Sequence, residues 1–493
     1  MCRSNARRKF AFIASHRAVK YQPHCIVSGL PFGALAGIAI AVLLLSGCAV
    51  NQEEETAAYR DVLGCDPNEN PPALEPNEPL SLALALSLAN CHNERLAIKG
   101  EEYLQALIDK DRAAAVFLPR VNFVPSYIRQ EEAHFPPGTS PFITEIVRTE
   151  TTDVPLDAQI DLNIPQDIAN LKRAEAAAQQ QRSLLLDTKD SILLDVAKVY
   201  YQILISEAQA RVLRHSILVQ EQHLRNIRNE YTAGTAKLLD VSQAQSQLSA
   251  AKVQLVEAET DISNGRSTLA FLIGCTSVQG PLADQLHLDA AIPPKDQLLA
   301  IAWQNRNDLI AAQFQLESSS HLLEQAWAQY FPSVGLDFTY FLGRQSFPSD
   351  VSWIGMLQVS VPVFSAGLIH DDVRTAWSLL RQAKLYQSYL QRQIDEELSI
   401  ALENINQVTR RIDELHVQVD TAGLALRQAD QTYNAGLAIN LDRLVAQEQL
   451  LTAQLDLADA QFTKKINYLQ LLRAAGQFSV ESLHDGLDPL APH

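Results

Sequence analysis

The sequence predicts a mainly helical fold, in which one very long helical hairpin occurs twice, with a minor share of β-strands. Three observations predict it. First, two stretches repeat each other at an offset of 202 residues: Tyr231-Thr-Ala-Gly234-Thr-Ala-Lys-Leu-Leu239-Asp240 and Tyr433-Asn-Ala-Gly436-Leu-Ala-Ile-Asn-Leu441-Asp442. The same offset pairs Gln245 with Gln447, Leu248 with Leu450, Ala251 with Ala453, Leu255 with Leu457, Leu269 with Leu471 and Gly274 with Gly476. A gapless shared register of this kind marks two copies of one structural unit. Second, a long apolar series stepping by four and three leads into each repeat. Third, short segments of period two lie ahead of each series.

The N-terminus is organised for export. Residues 1–47 hold Arg3, Arg7, Arg8, Lys9, Arg17 and Lys20 and no acid, followed by an apolar run from Leu30 to Leu45. A basic region before an apolar run too short for a spanning helix reads as a signal peptide. It ends in Leu45-Ser46-Gly47-Cys48, which resembles the bacterial lipobox; the resemblance implies cleavage before Cys48 and lipid on its sulfur. Ala49 in the next position implies transfer to the outer membrane. Removing residues 1–47 takes the formal net charge from −17 to −23. So acidic a chain repels phosphates, which excludes a nucleic-acid partner.

Residues 48–79, rich in Glu, Pro and Asn, read as an extended tether from the lipid to the folded body. An oxidising periplasm permits a Cys65–Cys91 bridge there, with unpaired thiols as the alternative. The first repeat covers 80–276. Its opening helix runs from Leu80 to about Ala115 and stops at Phe117-Leu118-Pro119, where proline disfavours further helix. A strand weakened by Pro125 follows over 118–130, then a loop over 131–150. Next comes an alternation of Val154, Leu156, Ala158, Ile160, Leu162 and Ile164 against Pro155, Asp157, Gln159, Asp161, Asn163 and Pro165. A linker at 277–294 precedes the second repeat, 295–476, and a tail occupies 477–493. The second repeat has its own strand pair. Val334, Leu336, Phe338, Tyr340 and Leu342 alternate in one strand; Val351, Trp353, Gly355, Leu357, Val359, Val361 and Val363 alternate in the other.

The long helices come next. Ile394, Leu398, Ala401, Ile405, Val408, Ile412, Leu415, Val419, Ala422, Leu426, Ala429 and Tyr433 form an unbroken coiled-coil seam. Its counterpart runs from Ile192 to Tyr231. The returning helices repeat the beat as Ala244, Leu248, Ala251, Leu255, Ala258, Ile262 and as Ala446, Leu450, Ala453, Leu457, Ala460. From Gln166 to Tyr231 no Pro or Gly interrupts, which at 1.5 Å per residue is a helix of roughly 100 Å. Gly234 and Gly436 terminate the outgoing helices in the position that favours a left-handed residue, and so mark the hairpin tips.

Four strands with apolar/polar alternation suit a membrane barrel wall, yet they are too few to close, and an open edge in lipid leaves backbone groups unpaired. Sister copies must then supply the rest; three copies would give twelve strands. A small soluble sheet packed on the coil is the competing reading. Over residues 80–476 the chain resembles the TolC-type outer-membrane efflux channels. The resemblance rests on the duplicated hairpins, on the strand lead-ins Phe331-Pro332-Ser333-Val334 and Leu118-Pro119-Arg120-Val121, on the strand exit Val361-Pro362-Val363-Phe364-Ser365-Ala366-Gly367, and on the Tyr-x-x-Gly tips. It implies a homotrimer with a twelve-stranded β-barrel in the outer membrane, continued across the periplasm as a hollow α-barrel.

The same resemblance implies the site. Ala233, Gly234, Thr235, Ala435, Gly436 and Leu437 take the positions at which the family docks a periplasmic adaptor, small residues and an exposed backbone permitting close approach. Asp442, with Asp240 as its counterpart, occupies the position of a periplasmic constriction, where three copies would form an acidic ring. A first-turn helix acid is the alternative role. Val445 stands where a second aspartate is often found and Ala438 where a basic lock residue can occur, while Arg443 and Lys237 lie close by as sources of a different ion pair.

No His-Glu-x-x-His, Gly-x-Ser-x-Gly, Walker or Cys-x-x-Cys motif is present in the sequence. The reading is of a conduit without catalytic residues, cofactor or metal. His215 and His223 on one helix are expected to be solvated. The expected function is a passive exit duct for a tripartite pump, powered by an inner-membrane transporter through the adaptor. A role in type I protein secretion, and the different class of a lipid-anchored adaptor or coiled-coil scaffold, are the alternatives.

Overall fold

The computed structural model describes residues 51–65, 79–131, 136, 138, 148–286, 288 and 292–478. The expected leader, Cys48, most of the 131–150 loop and the tail beyond 478 lie outside the described residues. In chain order the elements are α1 (Gln52–Leu63), β1 (Leu80–Ser81), α2 (Leu82–His92), α3 (Glu94–Ala115), β2 (Arg120–Phe123), β3 (Ser126–Arg129), β4 (Glu150–Leu162), α4 (Ile164–Thr232), α5 (Leu238–Leu272), β5 (Leu282–Ala283), α6 (Lys295–Asn305), α7 (Asn307–Ala328), β6 (Ser333–Gly343), β7 (Trp353–Ser360), α8 (Leu368–Asn434) and α9 (Asn440–Ala474). The chain divides into Met1–Glu55 and Thr56–His493. Of the first unit, the described part is Asn51 and the acidic first turn of α1; the second holds everything that follows.

The duplication is visible in the lengths. Each repeat opens with an 11-residue and a 22-residue helix, α2–α3 and α6–α7. Strands follow, then outgoing helices of 69 and 67 residues and returning helices of 35 each. The single helix expected over Leu80–Ala115 is therefore two. Asn93 breaks it with extended backbone, and its side chain caps α3 by accepting from the Arg95 and Leu96 N–H groups. Arg306 makes the matching break between α6 and α7.

The outgoing helices start where local chemistry satisfies their free N–H groups. The Asn163 side chain accepts from Gln166 N, and its own N–H donates to Asp167 Oδ2 at 2.8 Å. Pro165 sits in the first turn, where no helical donor is lost. Asn163 Nδ2 also donates to the Ala328 and Phe331 carbonyls, tying the start of α4 to the end of α7. The second start turns on Ala366 and Gly367, with φ of 49° and 88°.

Packing follows the apolar seams. Toward the tips α4 packs against α5 and α9, and α8 against α9, which leaves α5 and α8 on the outside of the four. The other half of α4 packs against α3 and α7, and that of α8 against α7. Between these halves lies the main core, where Leu86, Tyr200, Tyr201, Leu269, Leu298, Leu309, Ile394, Leu398 and Leu471 are buried together. A two-residue parallel pairing joins β1 to β5, the latter within the expected linker, and brings Leu80 and Leu282 into this core. The Tyr200 hydroxyl lies 2.7 Å from both the Leu80 and Ala283 carbonyl oxygens and shares its proton between them.

Two expectations need correction here. The expected tether over 48–79 contains helix α1. Its prolines all fall at residue 67 and beyond, so nothing prevents helix over 52–63, and Tyr59 and Leu63 bury themselves against Leu96, Tyr103, Leu185 and Ile192. A disulfide joins Cys65 to Cys91 with Cα atoms 5.5 Å apart, so the bridge and not the free thiols is present. The expected strand over 118–130 is two short ones, β2 and β3, split at Val124-Pro125 and both paired with β4.

The sheet order is β2-β4-β6-β7, antiparallel throughout, with β3 also on β4. Strands of both repeats thus join edge to edge through β4 and β6. On one face Leu156, Leu336, Phe338, Tyr340, Trp353, Leu357 and Val359 are exposed apolar side chains. The other carries Asp157, Gln159, Asp161, Asp337 and Thr339, where Thr339 Oγ1 donates to Asp157 Oδ1 at 2.7 Å. A Cβ on Gly335 would meet Asp161 Oδ1 at 2.8 Å, so glycine makes room for the acid. Across Gly355 the Phe338 and Trp353 rings stack at 5.9 Å.

Candidate functional site

The two hairpin tips are built alike. In the first, Gly234 has φ +81°; its N–H donates to the Tyr231 carbonyl at 3.0 Å, and the Thr235 N–H donates to Glu230 O at 2.9 Å. In the second, Gly436 has φ +72°; its N–H donates to Tyr433 O at 2.9 Å, and the Leu437 N–H donates to Thr432 O at 2.9 Å. This left-handed closure satisfies the final carbonyls of each outgoing helix, and glycine adopts it without strain. Both glycines have open space where a Cβ would lie. Ala233, Thr235, Ala435 and Leu437 are exposed beside them.

The tips differ in surface chemistry. Leu437 and Ile439 of the second are 82% and 62% exposed. In the first, Thr235 and Lys237 stand in the corresponding positions.

Asp240 and Asp442 take the helix-start role. Asp240 Oδ2 accepts from Lys237 N at 3.0 Å, and Asp442 Oδ2 accepts from Ile439 N at 3.3 Å. Each carboxylate satisfies a donor that its returning helix leaves free. The side chain of Asp442 remains exposed.

Arg443 does form an ion pair, with Asp430 of the preceding helix, at 2.5 Å. Its guanidinium also donates to His223 Nδ1. The solvated histidine expected at 223 is instead 2% exposed, because α9 of the second hairpin lies across it; His215, two turns earlier, faces solvent. His223 Nε2 lies 2.9 Å from Asn440 Oδ1, and Asn440 Nδ2 donates to the Asp240 carbonyl at 3.4 Å. Accepting from arginine at Nδ1 leaves the ring proton on Nε2, where it donates to Asn440. A relay from Arg443 through His223 and Asn440 to Asp240 therefore joins α9, α4 and α5. Burial, then the Arg443 charge, hold the histidine below its ordinary value.

A second bond joins the hairpins, from the Tyr433 hydroxyl to Glu230 Oε2 at 2.8 Å. The relay and this bond escape a reading of the sequence because they run between repeats. One signal was present: His223 directly precedes the seam residue Leu224, on the flank that a neighbouring helix covers. Among the described residues no cluster of three or more His, Cys, Asp or Glu side chains could hold a metal ion.

Two repeats of paired strands and long hairpins, closed by matching tips, are the arrangement recognised by comparison with known proteins. The model of the family "Outer membrane efflux protein" matches residues 93–275 and 298–477. The chain belongs to the outer membrane efflux protein family. Among relatives of this efflux protein, the toluene efflux pump outer membrane protein TtgF of Pseudomonas putida is 26% identical over 412 residues, 80% of this chain and 82% of that one. The probable outer membrane lipoprotein SilC of Salmonella typhimurium is 20% identical over 355 residues, 68% of this chain and 74% of that one. The solved structure of the outer-membrane channel OprN superposes with a TM-score of 0.72 at 20% identity, covering 81% of this chain and 90% of that one. The efflux protein therefore has the fold of an outer-membrane channel.

Proposed function

We propose that three copies of this efflux protein form the exit duct of a tripartite pump, a passive conduit that a periplasmic adaptor opens by docking on the tips. The observation that carries the reading is the sheet with two open edges, β2 and β7, and an apolar face turned outward. Such edges in lipid would each leave a row of unpaired backbone groups. Pairing β7 of one copy with β2 of the next continues the antiparallel order and closes twelve strand positions. The helices make the same demand: α5 carries Val253 and Val256, and α8 carries Ile400, Val417 and Leu424, all more than half exposed on the two outside helices. A neighbouring copy seats one set against the other. A soluble sheet packed on the coil would hide its apolar face; this one does not.

Gly234 and Gly436 with their flanking residues form the adaptor-docking surface. Three copies of Asp442 narrow the periplasmic end, and lipid on Cys48 adds a second membrane attachment. An inner-membrane transporter supplies the energy, and the chain itself does no catalysis. The name of TtgF, a toluene efflux pump component, favours small-molecule efflux over protein secretion. The test is planar-bilayer recording on the purified protein together with its mass in detergent. A conducting trimer is expected; a monomer that never conducts removes the reading.

A further inference from the structure

We infer that the buried relay centred on His223 is an acid-sensitive joint between the two hairpins, which holds the tips together while the imidazole is neutral and releases them when it is protonated. The inference deepens the duct reading, since it assigns a condition for loosening the same tips.

The geometry requires the neutral ring. Nδ1 accepts a hydrogen bond from the Arg443 guanidinium and Nε2–H donates one to Asn440 Oδ1 at 2.9 Å. An imidazolium carries protons on both nitrogens and accepts from neither. Protonation would therefore break the Arg443 bond and place two cations in contact within a site that is 2% exposed at the histidine. The Nε2–H would still donate to Asn440 Oδ1, so the loss falls on the Arg443 contact, which ties α9 to α4 beside the Asn440 tie to the start of α5.

The groups around the ring act in both directions. On α9, Arg443 opposes protonation. On α8, Asp430 favours it but is engaged by Arg443 at 2.5 Å, and on α4 Glu230 favours it but accepts the Tyr433 hydroxyl at 2.8 Å. On α5 the Asp240 carboxylate is turned to the Lys237 N–H, and the group facing the relay is its backbone carbonyl. Burial and the arginine dominate, so the folded-state pKa lies below the ordinary 6.5. The sign follows. The joint is complete above that value, where both states are neutral. It weakens as the pH falls below it, by at most tenfold per pH unit for one proton.

The test is hydrogen exchange on the full-length protein in detergent, read as protection factors for peptides covering 220–245 and 428–447, from pH 7.5 to 5. Wild type is expected to lose protection there severalfold per unit below about pH 6.5, with the main core unchanged. His223→Gln should flatten the response, while His215→Gln, a solvated histidine on the same helix, should keep it. Arg443→Gln should move the midpoint upward, and this variant keeps the test decisive if His223→Gln does not assemble. Tip protection that ignores acidity in wild type overturns the joint, and does so even where bilayer recordings show the duct conducting. Tips that loosen with acid in a protein that never conducts would support the joint and overturn the duct.

Discussion

The Tyr433 hydroxyl donates to Glu230 Oε2 at 2.8 Å, so the last turn of α8 is fastened to the last turn of α4. Burial, then the Glu230 carboxylate, push the Tyr433 pKa up to about 12. A raised value means that the bond's contribution is complete below the ordinary 10 and is lost as the pH rises through about 12. Tyr433→Phe should weaken the junction by about 1 kcal/mol, a roughly fivefold loss of hydrogen-exchange protection in the last turns of α4 and α8. Wild-type protection should hold from pH 7 to 9 on this account and fall above about 10.

Much of the architecture is legible from periodicity because it is local. The seam from Ile394 to Tyr433 needs only a step of four and three, and the strands need only alternation. The features that stayed hidden are set by distant contacts. Around Arg306 only Asn305, Asn307 and Asp308 hint at a helix break, and the ion pairs of its guanidinium with Asp308 and Glu397 are set by the fold. Helix α1 is polar in sequence and is held by Tyr59, Leu63 and the Cys65–Cys91 bridge. His223 reads as a surface residue of one hairpin until the other hairpin is laid across it. The tip glycines were legible because a left-handed turn is a property of two or three residues.

Arg306 is 3% exposed and pairs with Asp308 Oδ2 at 2.6 Å and Glu397 Oε2 at 2.5 Å, joining the α6–α7 break to α8. Removing one partner of a buried pair leaves the other charge unpaired. Arg306→Ala should cost about 3 kcal/mol. Thermal unfolding is the measurement. Arg306→Met combined with Asp308→Leu and Glu397→Gln should lose far less, because no buried charge is then orphaned.

Asp190 accepts from Asn307 Nδ2 at 3.0 Å in the same region, and burial pushes its pKa up to about 6. The raised value means that the folded state prefers the neutral acid, so stability falls as the pH rises from about 4 to about 6. Asp190→Asn keeps an oxygen to accept from Asn307 and removes the charge. It should stabilise the protein by about 2 kcal/mol at pH 7, and the gain should vanish near pH 4. Unfolding midpoints at the two pH values decide this.

The Cys65–Cys91 bridge closes a loop with a sequence separation of 26 and fixes the end of α1 beside α2. Cys91→Ser should lower stability by about 3 kcal/mol on loop entropy. Noncovalent contacts, among them Tyr59, Leu63 and the Asn90 and Lys189 donors on the Leu63 carbonyl, would then hold α1, so limited proteolysis should cut within 52–65 faster in this variant, or in wild type under reductant.

The tip glycines allow docking to be separated from turn formation. At Gly436 φ is +72° and no atom lies within 4 Å of the position a Cβ would take. Gly436→Ala therefore meets no clash and bears only the left-handed penalty, about 1–2 kcal/mol. The Gly436→Trp variant bears the same penalty and adds a bulky ring over Ala435 and Leu437, which only an approaching partner would feel. If the tip serves solely as a turn, the two variants should export alike. If it docks an adaptor's helical hairpin, the alanine variant should keep most export and the tryptophan variant should lose it, both with the trimer mass of wild type. Susceptibility of cells to exported compounds, scored beside the mass of the purified protein, is the measurement. The matching pair at Gly234, φ +81°, should behave in the same way. Wild-type export from both tryptophan variants would remove the docking assignment and leave the glycines as turn residues.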